Sequence, residues 1–348
     1  MSSEQHAFFN DTNLASERLG AEILGCNDEF FAPASNLLKN EEPIWIEDKY
    51  TERGKWMDGW ETQRLGTSRR GGFDWAIVHL GVRGVITGFS FDTKHFTGNF
   101  APYVAVDGYN LDTWHISEGV RERRTEQAIM VLSKKTEWVE ILPKQPLGPS
   151  NQFHFPIDNQ NQWTHVRVRI FPDGGIARLK VHGKVKPDWN QVPKENIIDL
   201  AAVENGGEIV EWSDEHFGKA RNVLMPGFGV GMFDGWEPAR NRREGHVNEW
   251  LIAKLASPGS VFAVELDTSY FLGNFPDKGS LEGANIKEGE TYSDAKWEII
   301  LPPTSLSPDK RHLFEKERLE GEGPYTHVRL NIFPDGGASR LRVFGVRL

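Results

Sequence analysis

The sequence repeats itself over almost its full length, and this duplication limits the fold more than any other feature. Leu14 and Asn36 are matched by Leu200 and Asn222 at a constant separation of 186 residues (200 − 14 and 222 − 36). Self-similarity at a fixed separation indicates one structural unit that is present twice. The polar stretch 184–196, which contains two prolines, marks the boundary. We therefore predict two domains, 1–186 and 187–348.

Further motif pairs follow in the same order in each half. Asp58-Gly59-Trp60-Glu61 and Asp234-Gly235-Trp236-Glu237 are separated by only 176 residues (234 − 58), so the first half carries ten additional residues between Leu38 and Asp58. The polar run 49–54 is the expected position of this insertion. Segments 89–100 and 164–179 are matched by 264–275 and 326–341.

Each half consists of short segments typical of β-strands. Segments 75–80 and 85–91 are β-branched and aromatic runs bounded by glycine, and 166–171 alternates between apolar and charged residues. This alternation predicts that Val166, Val168 and Ile170 face a core while Arg167 and Arg169 face outward. Phe-Pro-Asp-Gly-Gly at 171–175 predicts a chain reversal. Proline fixes its own φ at a value suited to a turn, and glycine can adopt φ values that other residues avoid. We predict an all-β chain of two tandem jelly-roll β-sandwich domains.

Composition excludes several classes of function. A net charge of −10 and an isoelectric point near 5.6 argue against nucleic-acid binding, which needs a basic surface. The densest basic clusters, 69–70 and 121–124, are interrupted or neighboured by acids. No stretch approaches the roughly 18 apolar residues of a membrane span, so no membrane partner is expected.

The compartment is predicted from the single cysteine and from the chain ends. Cys26 cannot form an intrachain disulfide, so the fold needs no oxidising compartment. The first residues lack a basic patch followed by an apolar stretch, which argues against a secretory signal. The last residues, 345–348, are only loosely similar to a peroxisomal Ser-Lys-Leu ending. We expect a cytoplasmic protein rather than a peroxisomal one.

The Asp-Gly-Trp-Glu segment is the first candidate for chemistry. An Asp-Gly turn is expected to display its flanking side chains at a loop tip. Asp58 and Glu61 could then act as a general acid and base, because neighbouring carboxylates have their pKa values pushed apart. Arg64 could grip a carboxylate through its planar guanidinium. In the structural alternative, Asp58 caps the turn, Trp60 covers the end of the sandwich and Glu61 pairs with Arg64.

Two further motifs carry charged or imidazole side chains. Thr-His-Val-Arg places His165 and Arg167 on one strand, where they bind an anion or relay a proton, or else tie the strand to a neighbouring loop. The segment 92–96 offers Asp92, Lys94 and His95. In the second half Ser269 and Tyr270 replace Lys94 and His95, which favours the first half if only one domain is catalytic.

The usual metal signatures do not occur, because the chain has one cysteine and lacks two histidines at the short spacing of a zinc helix. A divalent-metal site assembled from distant loops, for example by His79, His95 and Asp92, stays open as an alternative. We assign no cofactor with certainty.

Several of these motifs together resemble the allantoicase family. They are Trp-Met-Asp-Gly-Trp-Glu-Thr-Gln-Arg at 56–64, Asp-Glu-Phe-Phe-Ala-Pro-Ala-Ser-Asn-Leu at 28–37, Asp-Thr-Lys-His-Phe-Thr-Gly-Asn at 92–99, and the twice-used Thr-His-Val-Arg and Phe-Pro-Asp-Gly-Gly. The resemblance covers both halves and implies hydrolysis of allantoate to ureidoglycolate and urea in purine degradation. It also implies two jelly-roll domains and a homo-oligomer. The second half departs at Pro238, Ser269 and Tyr270.

Allantoate carries one carboxylate and two ureido groups on a single carbon. Its site therefore needs a cation, amide partners and a proton donor for the departing urea. The catalytic candidates are Asp58, Glu61, Asp92 and His95. The substrate-binding candidates are Trp60, Arg64, Lys94, Asn99, His165 and Arg167. Their equivalents in the second half are Asp234, Glu237, Arg240, Asp267, Asn274, His327 and Arg329.

A different class of function stays open beside this one. Tandem jelly rolls with 12 tryptophans also suit a non-catalytic carbohydrate-binding or small-ligand-binding protein, whose exposed indoles stack on sugar faces. A further alternative makes one domain catalytic and the other a scaffold or an oligomer interface. Release of urea from allantoate would separate catalysis from binding.

Overall fold

Strands and short 3-10 turns form all the regular structure of residues 7–64, 72–111, 137–242 and 244–348, the part of the chain that the computed structural model describes. The basic clusters 69–70 and 121–124 lie outside these residues. The chain divides into two units, Met1–Lys186 and Pro187–Leu348, called domain 1 and domain 2 below. In the described ranges, no helix has the length and apolar character needed to cross a membrane.

Domain 1 contains strands β1 (Thr12–Asn13), β2 (Glu22–Cys26), β3 (Tyr50–Thr51), β4 (Gly54–Lys55), β5 (Trp60–Glu61), β6 (Asp74–Asp92), β7 (Tyr103–Tyr109), β8 (Val139–Pro146), β9 (Gln152–Pro156), β10 (Gln162–Phe171), β11 (Gly175–Ile176) and β12 (Arg178–Val185). Its 3-10 turns are Ala7–Asn10, Glu17–Leu19 and Ala34–Leu38. Domain 2 contains β13 (Ile198–Asp199), β14 (Glu208–Trp212), β15 (Glu249–Asp267), β16 (Lys278–Ala284), β17 (Glu298–Ser305), β18 (Arg311–Glu315), β19 (Tyr325–Phe333) and β20 (Arg340–Arg347). Its 3-10 turns are Trp189–Gln191, Val203–Asn205, Ala220–Leu224, Met232–Asp234 and Lys316–Arg318.

A single 19-residue strand, β6, belongs to both layers of domain 1. Its first half pairs with β2 and β10, and β10 continues the layer through β7 to β8. Its second half pairs with β12 and β9. In domain 2, β15 has the same length and pairs in the same way with β14, β19, β20 and β18. Each domain is therefore an antiparallel two-layer sandwich, and the predicted all-β duplicated architecture is confirmed.

The core of domain 1 lies between these two layers. Val166, Val168 and Ile170 of β10 are fully buried, whereas Arg167 and Arg169 between them reach the outer face, so the predicted alternation is confirmed. Phe89 and Phe91 from the second half of β6 fill the same core cluster. Burial of these side chains supplies most of the favourable free energy of folding.

One end of the domain 1 sandwich is closed by a short strand pair. In it β5 pairs with β11, so that Trp60 lies opposite Ile176 and Glu61 lies opposite Gly175. The β3–β4 hairpin belongs to the additional residues that precede β5. This end carries the 58–64 segment and the 92–99 loop, but not the Thr-His-Val-Arg residues.

Candidate active site

The 58–64 segment and the 92–99 loop meet at this end of domain 1. The side-chain amide of Asn99 donates a hydrogen bond of 2.9 Å to the carboxylate oxygen Oε1 of Glu61. The Asn99 carbonyl accepts from the backbone N–H of Gly175, the residue paired with Glu61. β11 therefore places the amide and the carboxyl side by side.

Gly59 allows β11 and the Phe96 ring to pack closely against the 58–64 segment. A Cβ atom at this position would lie 2.6 Å from the carbonyl oxygen of Ile176 and 2.8 Å from the Phe96 ring. Glycine is thus required at position 59 because a larger residue would not fit. The positive φ expected of an Asp-Gly turn is not observed at Gly59. The expected display of the flanking residues is also wrong for Trp60, because its side chain is fully buried and its indole N–H donates to the Asp28 carbonyl at 2.8 Å. This burial argues against the substrate contact predicted for Trp60.

Asp58 is held in a buried ion pair. Arg178 donates to its Oδ2 atom at 2.6 Å and to its backbone carbonyl at 2.9 Å. The backbone N–H of Ile44 and the Lys39 ammonium donate to the same carboxylate, each at 3.1 Å. Burial alone would raise the pKa of Asp58, but the hydrogen bonds from Arg178, Ile44 and Lys39 lower it overall. A carboxylate with a lowered pKa and three hydrogen-bond donors fits the structural alternative better than the catalytic prediction.

Glu61 has the opposite electrostatic environment. Burial raises the pKa of its carboxyl group, and the hydrogen bond from Asn99 and the charge of Arg64 offset only part of this effect. The residue has 6% of its surface exposed. A buried carboxyl group with a raised pKa, beside an amide and a guanidinium, has the properties of a general acid.

Arg64 lies at the solvent edge of this cluster. Its Nη1 atom is 3.2 Å from Oδ1 of Asp173, and 41% of the Arg64 side chain is exposed. Asp173 itself is buried in the Phe-Pro-Asp-Gly-Gly turn. One ion pair uses few of the five N–H donors of a guanidinium, so Arg64 retains capacity for a second carboxylate.

The additional residues of domain 1 cover the 92–96 loop. The His95 ring donates from Nε2 to the Pro43 carbonyl at 3.1 Å and lies 5.9 Å from the Trp45 ring. Lys94 approaches Glu42 at 3.4 Å. His95 has a positive φ of 72°, as does its counterpart Tyr270 with 70°. The backbone φ angle at this position is therefore nearly the same in both domains although the side chains differ.

Asp92 fixes the start of the same loop. Its Oδ1 atom accepts from the backbone N–H of Lys94 at 2.6 Å, and its Oδ2 atom accepts from the Gln152 amide at 3.0 Å. Asp267 accepts from the backbone N–H of Ser269 at 2.8 Å in domain 2. These contacts show Asp92 in a turn-forming position, and the structure gives it no contact with Glu61.

The Thr-His-Val-Arg residues lie on the sheet, away from this cluster. His165 is fully buried beside His79, and burial lowers the pKa of its ring to about 4. Its ring is therefore neutral at physiological pH, which argues against the predicted proton relay. Arg167 pairs with Asp107 at 2.8 Å on the outer face. The structure thus brings Asn99, Glu61 and Arg64 together and separates His165 and Arg167 from them.

The proposed metal donors are likewise separated. His79 lies in the first half of β6 and contacts the His165 ring, whereas Asp92 ends the second half of that strand. In the described parts of the chain, no group of three or more His, Cys, Asp or Glu side chains is placed to hold a metal ion. The set His79, His95 and Asp92 is therefore not assembled.

Domain 2 repeats the framework of the site. Arg340 donates to Asp234 at 2.8 Å, and the Asn274 amide donates to Oε1 of Glu237 at 2.6 Å. Glu237 is only half-buried, whereas Glu61 is buried. Position 225, which corresponds to Lys39, is a methionine. The repeated pairs therefore stand in different surroundings.

The remaining equivalents differ further from domain 1. Arg240 is exposed, and Asp335 accepts a bond of 3.0 Å from the backbone N–H of Asn241. Burial and, less strongly, the charge of Lys254 lower the pKa of His327 to about 4. Arg329 pairs with Glu282 at 2.7 Å on the outer sheet face.

Arg178 and Asp173 were not among the predicted site residues. Arg178 anchors Asp58, and Asp173 anchors Arg64. Both recur at matched positions as Arg340 and Asp335, which is the sequence signal that could have identified them.

Comparison with known proteins assigns the same repeat to both domains. The family model described as "Allantoicase repeat" matches residues 12–186 and 198–348. The chain is 44% identical to "Probable allantoicase 1" of Burkholderia mallei, over 96% of this chain and 94% of that protein. It is 41% identical to "Allantoicase" of Dictyostelium discoideum, over 95% of this chain and 85% of that protein. A crystal structure of allantoicase from Saccharomyces cerevisiae matches with a TM-score of 0.75 and 33% identity, over 96% of this chain and 92% of that one.

Proposed function

This chain belongs to the allantoicase family, whose members are hydrolases of C–N bonds in linear amidines, and we propose that Glu61, Arg64 and Asn99 form its site for allantoate hydrolysis. The products are ureidoglycolate and urea. The observation that carries this assignment is the buried Glu61 carboxyl group, with a raised pKa, held by Asn99.

The substrate is bound through its carboxylate and ureido groups. The exposed part of the Arg64 guanidinium binds the carboxylate, while Asp173 fixes the direction of the side chain. Asn99 already donates to Glu61 and offers its carbonyl oxygen to a ureido N–H. This arrangement directs one ureido nitrogen towards the Glu61 carboxyl group.

Glu61 then acts first as an acid and afterwards as a base. Its proton passes to the departing ureido nitrogen, the C–N bond breaks with its electron pair on that nitrogen, and urea leaves. The remaining ureido nitrogen stabilises the carbon through an imine-like intermediate. Water adds to this carbon and returns one proton to the Glu61 carboxylate. The sum is allantoate plus water to ureidoglycolate plus urea.

All of these steps use protein groups. The resemblance allows a divalent metal, but the described residues do not assemble a donor set that fits one. No step is therefore assigned to a metal. Asp58 keeps a supporting role in the proposal, because its contacts with Arg178 and Ile44 fix the segment that carries Glu61.

Paired substitutions test the assignment of the acid. Glu61→Gln removes the proton donor, so kcat for urea release should fall about 10²–10⁴-fold, the usual contribution of general acid–base catalysis. Glu237→Gln, the matched control in domain 2, should retain most of the activity. Equal losses in the two variants would contradict a site confined to domain 1, and full activity of Glu61→Gln would contradict the mechanism.

A second substitution tests the carboxylate clamp. Losing a charge-assisted hydrogen bond costs about 1.5–3 kcal/mol, so Arg64→Ala should lower kcat/KM roughly tenfold to a hundredfold. Arg240→Ala is the matched control. An Arg64→Ala chain that folds normally and hydrolyses allantoate at the parental rate would show that Arg64 does not bind the substrate.

A further inference from the structure

A cavity of about 260 Å³ opens on the outer face of the domain 2 layer that contains β15, β16, β17 and β19. Its polar lining is supplied by Asn248, Ser280, Glu282, Arg329 and Asn331, and apolar side chains of β17 and β19 form its remaining wall. None of these residues belongs to the Glu237 and Asn274 pair at the end of the domain. The cavity is therefore distinct from the repeated loop site.

Hydrogen bonds hold the polar lining in place. Asn248 donates to Oδ1 of Asn331 at 3.0 Å, and Asn331 donates to Oε2 of Glu282 at 2.8 Å and to Oγ of Ser280 at 3.3 Å. Arg329 donates from Nε to the same Glu282 oxygen at 2.7 Å. Glu282 and Arg329 neutralise each other, so the lining is polar without net charge.

Domain 1 fills the corresponding groove with its own side chains. Ser280 lies opposite Asn331 in the β16–β19 register, and Ala105 lies opposite Arg169 in the equivalent β7–β10 register. The Arg169 guanidinium reaches Asp107 at 2.7 Å and Glu140 at 3.0 Å. It also lies 5.8 Å from the Phe73 ring. A long cation and an aromatic ring thus cover the face of domain 1.

Two shorter residues open this face in domain 2. Asn331 stands where domain 1 has Arg169, and Asn248, which precedes β15, stands where Phe73 precedes β6. In both positions a smaller side chain that ends in a carboxamide replaces a larger one, which leaves room for the cavity.

We propose that this cavity binds the ureido group of a small molecule, at a second site besides the one in domain 1. A ureido group is planar, carries N–H donors and has one strong acceptor. Oxygens of Asn248 and Glu282 have lone pairs for its N–H groups, and Ser280 and Arg329 have donors for its carbonyl. The volume suits a molecule of the substrate's size and is too small for a typical drug-sized ligand.

The choice of a ureido ligand rests on the proposed function, because the substrate and both products carry this group. The same chemistry has two sources, urea itself or a ureido acid. Binding of urea would be product binding, whereas binding of a ureido acid would be the recognition of allantoate or ureidoglycolate. N-carbamoylglycine serves as the acid probe. It has a carboxylate and one ureido group, and it lacks the second ureido group on the same carbon that the proposed reaction requires.

A cysteine placed in the cavity gives a local measurement in the full chain. Ser280→Cys introduces a thiol at the bottom, and the native Cys26 reacts slowly because burial raises its pKa to about 12. Labelling by methyl methanethiosulfonate is followed by intact mass. A ligand at ten times its Kd leaves roughly one site in eleven free, so the labelling rate should fall about elevenfold. Ala105→Cys is the matched control in domain 1, where Arg169 covers the thiol and no ligand effect is expected.

The possible outcomes distinguish urea from a ureido acid as the ligand, and they test this proposal independently of the proposed function. Protection by urea supports a product site, and protection by N-carbamoylglycine alone supports a site for ureido acids. Absence of protection by either probe would overturn the proposal, as would equal protection by N-acetylglycine, which lacks the terminal amino group. Adding Asn331→Arg, the domain 1 residue, should abolish protection. Labelling does not depend on turnover, so a failed Glu61→Gln test would leave this result standing.

A second measurement applies if the cysteine variant does not fold. Calorimetric titrations are made with N-carbamoylglycine and, separately, with urea. At least one of the two probes should show one bound molecule fewer per chain in Asn331→Arg than in the native chain. Thr304→Val, on the same β17 strand but outside the cavity lining, should retain the native stoichiometry. Unchanged stoichiometry with both probes in Asn331→Arg would contradict a site in this cavity.

Discussion

Asp58 and Glu61 lie three positions apart in the sequence, yet their surroundings act on them in opposite directions. Arg178, Lys39 and the Ile44 amide lower the pKa of Asp58 despite its burial. Burial raises the pKa of Glu61, and Asn99 compensates for only part of it. The two carboxyl groups are therefore distinguished by their partners rather than by mutual repulsion, which was the basis of the predicted acid and base pair.

The raised pKa of Glu61 has a consequence for stability. A carboxyl group whose pKa is higher in the folded state adds stability below its unfolded value, near 4.5, and this contribution is lost as pH rises through the folded value. Glu61→Gln lacks this loss, so its free energy of unfolding relative to wild type should rise with pH across that window. Guanidinium denaturation at a series of pH values measures the difference. Parallel profiles for the two chains would contradict the assigned pKa shift.

The sequence identified most of the cluster but not its internal roles. Asn99 and Glu61 could be selected because both recur in the second half, and they do meet in domain 1. The burial of Trp60 could not be read from an Asp-Gly-Trp-Glu string, because an exposed turn and a packed strand use the same residues. The Arg178 contact with Asp58 spans 120 positions, and single-sequence patterns do not report such separations.

The additional residues between Leu38 and Asp58 act as a cover for the 92–96 loop. They provide the Pro43 carbonyl for His95, Glu42 for Lys94 and the Ile44 amide for Asp58. In domain 2 the shorter connection leaves Tyr270 with 46% of its surface exposed. The length of this insertion follows from the repeat separations, and its predicted position at 49–54 coincides with the β3–β4 hairpin. Its contact with His95 depends on tertiary packing, which these separations do not report.

Shortening this connection tests what the cover contributes. Replacing residues 40–55 by residues 226–231 removes ten residues and gives domain 1 the connection of domain 2. The Val230 N–H of that connection donates to Asp234 at 3.1 Å and can replace the Ile44 contact, so the main loss is that of the Pro43 and Trp45 partners of His95. An ordinary hydrogen bond contributes about 0.5–1.5 kcal/mol, so kcat/KM should fall roughly twofold to tenfold. Urea release and thermal unfolding are measured together. Parental activity in a folded chimera would show that the cover has no part in catalysis, and the reverse exchange in domain 2 is the control.

At the scale of the whole chain, the same buried ion pair occurs once in each domain. Arg178 and Asp58 are matched by Arg340 and Asp234, and all four side chains are nearly fully buried. Removing one partner of such a pair typically destabilises a protein by about 3–5 kcal/mol, because the other charge stays buried without compensation. Replacing either arginine is the same chemical change, but Arg178 belongs to the domain of the proposed site and Arg340 to the other domain.

Arg178→Met and Arg340→Met therefore test whether the catalytic site is confined to domain 1. Both substitutions should lower the unfolding temperature of the domain that carries them. Only Arg178→Met should also lower, by a similar amount, the temperature at which urea release is lost. Residual activity after heating at a series of temperatures provides the readout, with circular dichroism as the measure of folding. Equal loss of activity in both variants would contradict the confinement of the site to domain 1.

Much of the architecture was accessible from the sequence. Constant separations revealed the duplication, and alternation within 166–171 assigned the faces of β10. The passage of β6 from one layer into the other does not follow from the sequence pattern, because the glycines between residues 75–80 and 85–91 predict two separate strands. The homo-oligomer that the resemblance implies stays a prediction, which light scattering of the full chain would test.

The strand shared by both layers also explains where the two halves of the chain have diverged in length. β6 and β15 each span 19 residues, and a shift of one residue would turn every side chain of both layers to the wrong face. The two halves accordingly keep this strand at one length and differ in the connections, as the ten additional residues before Asp58 illustrate. For protein engineering, new segments are best added at these connections, with β6 and β15 kept at their present length.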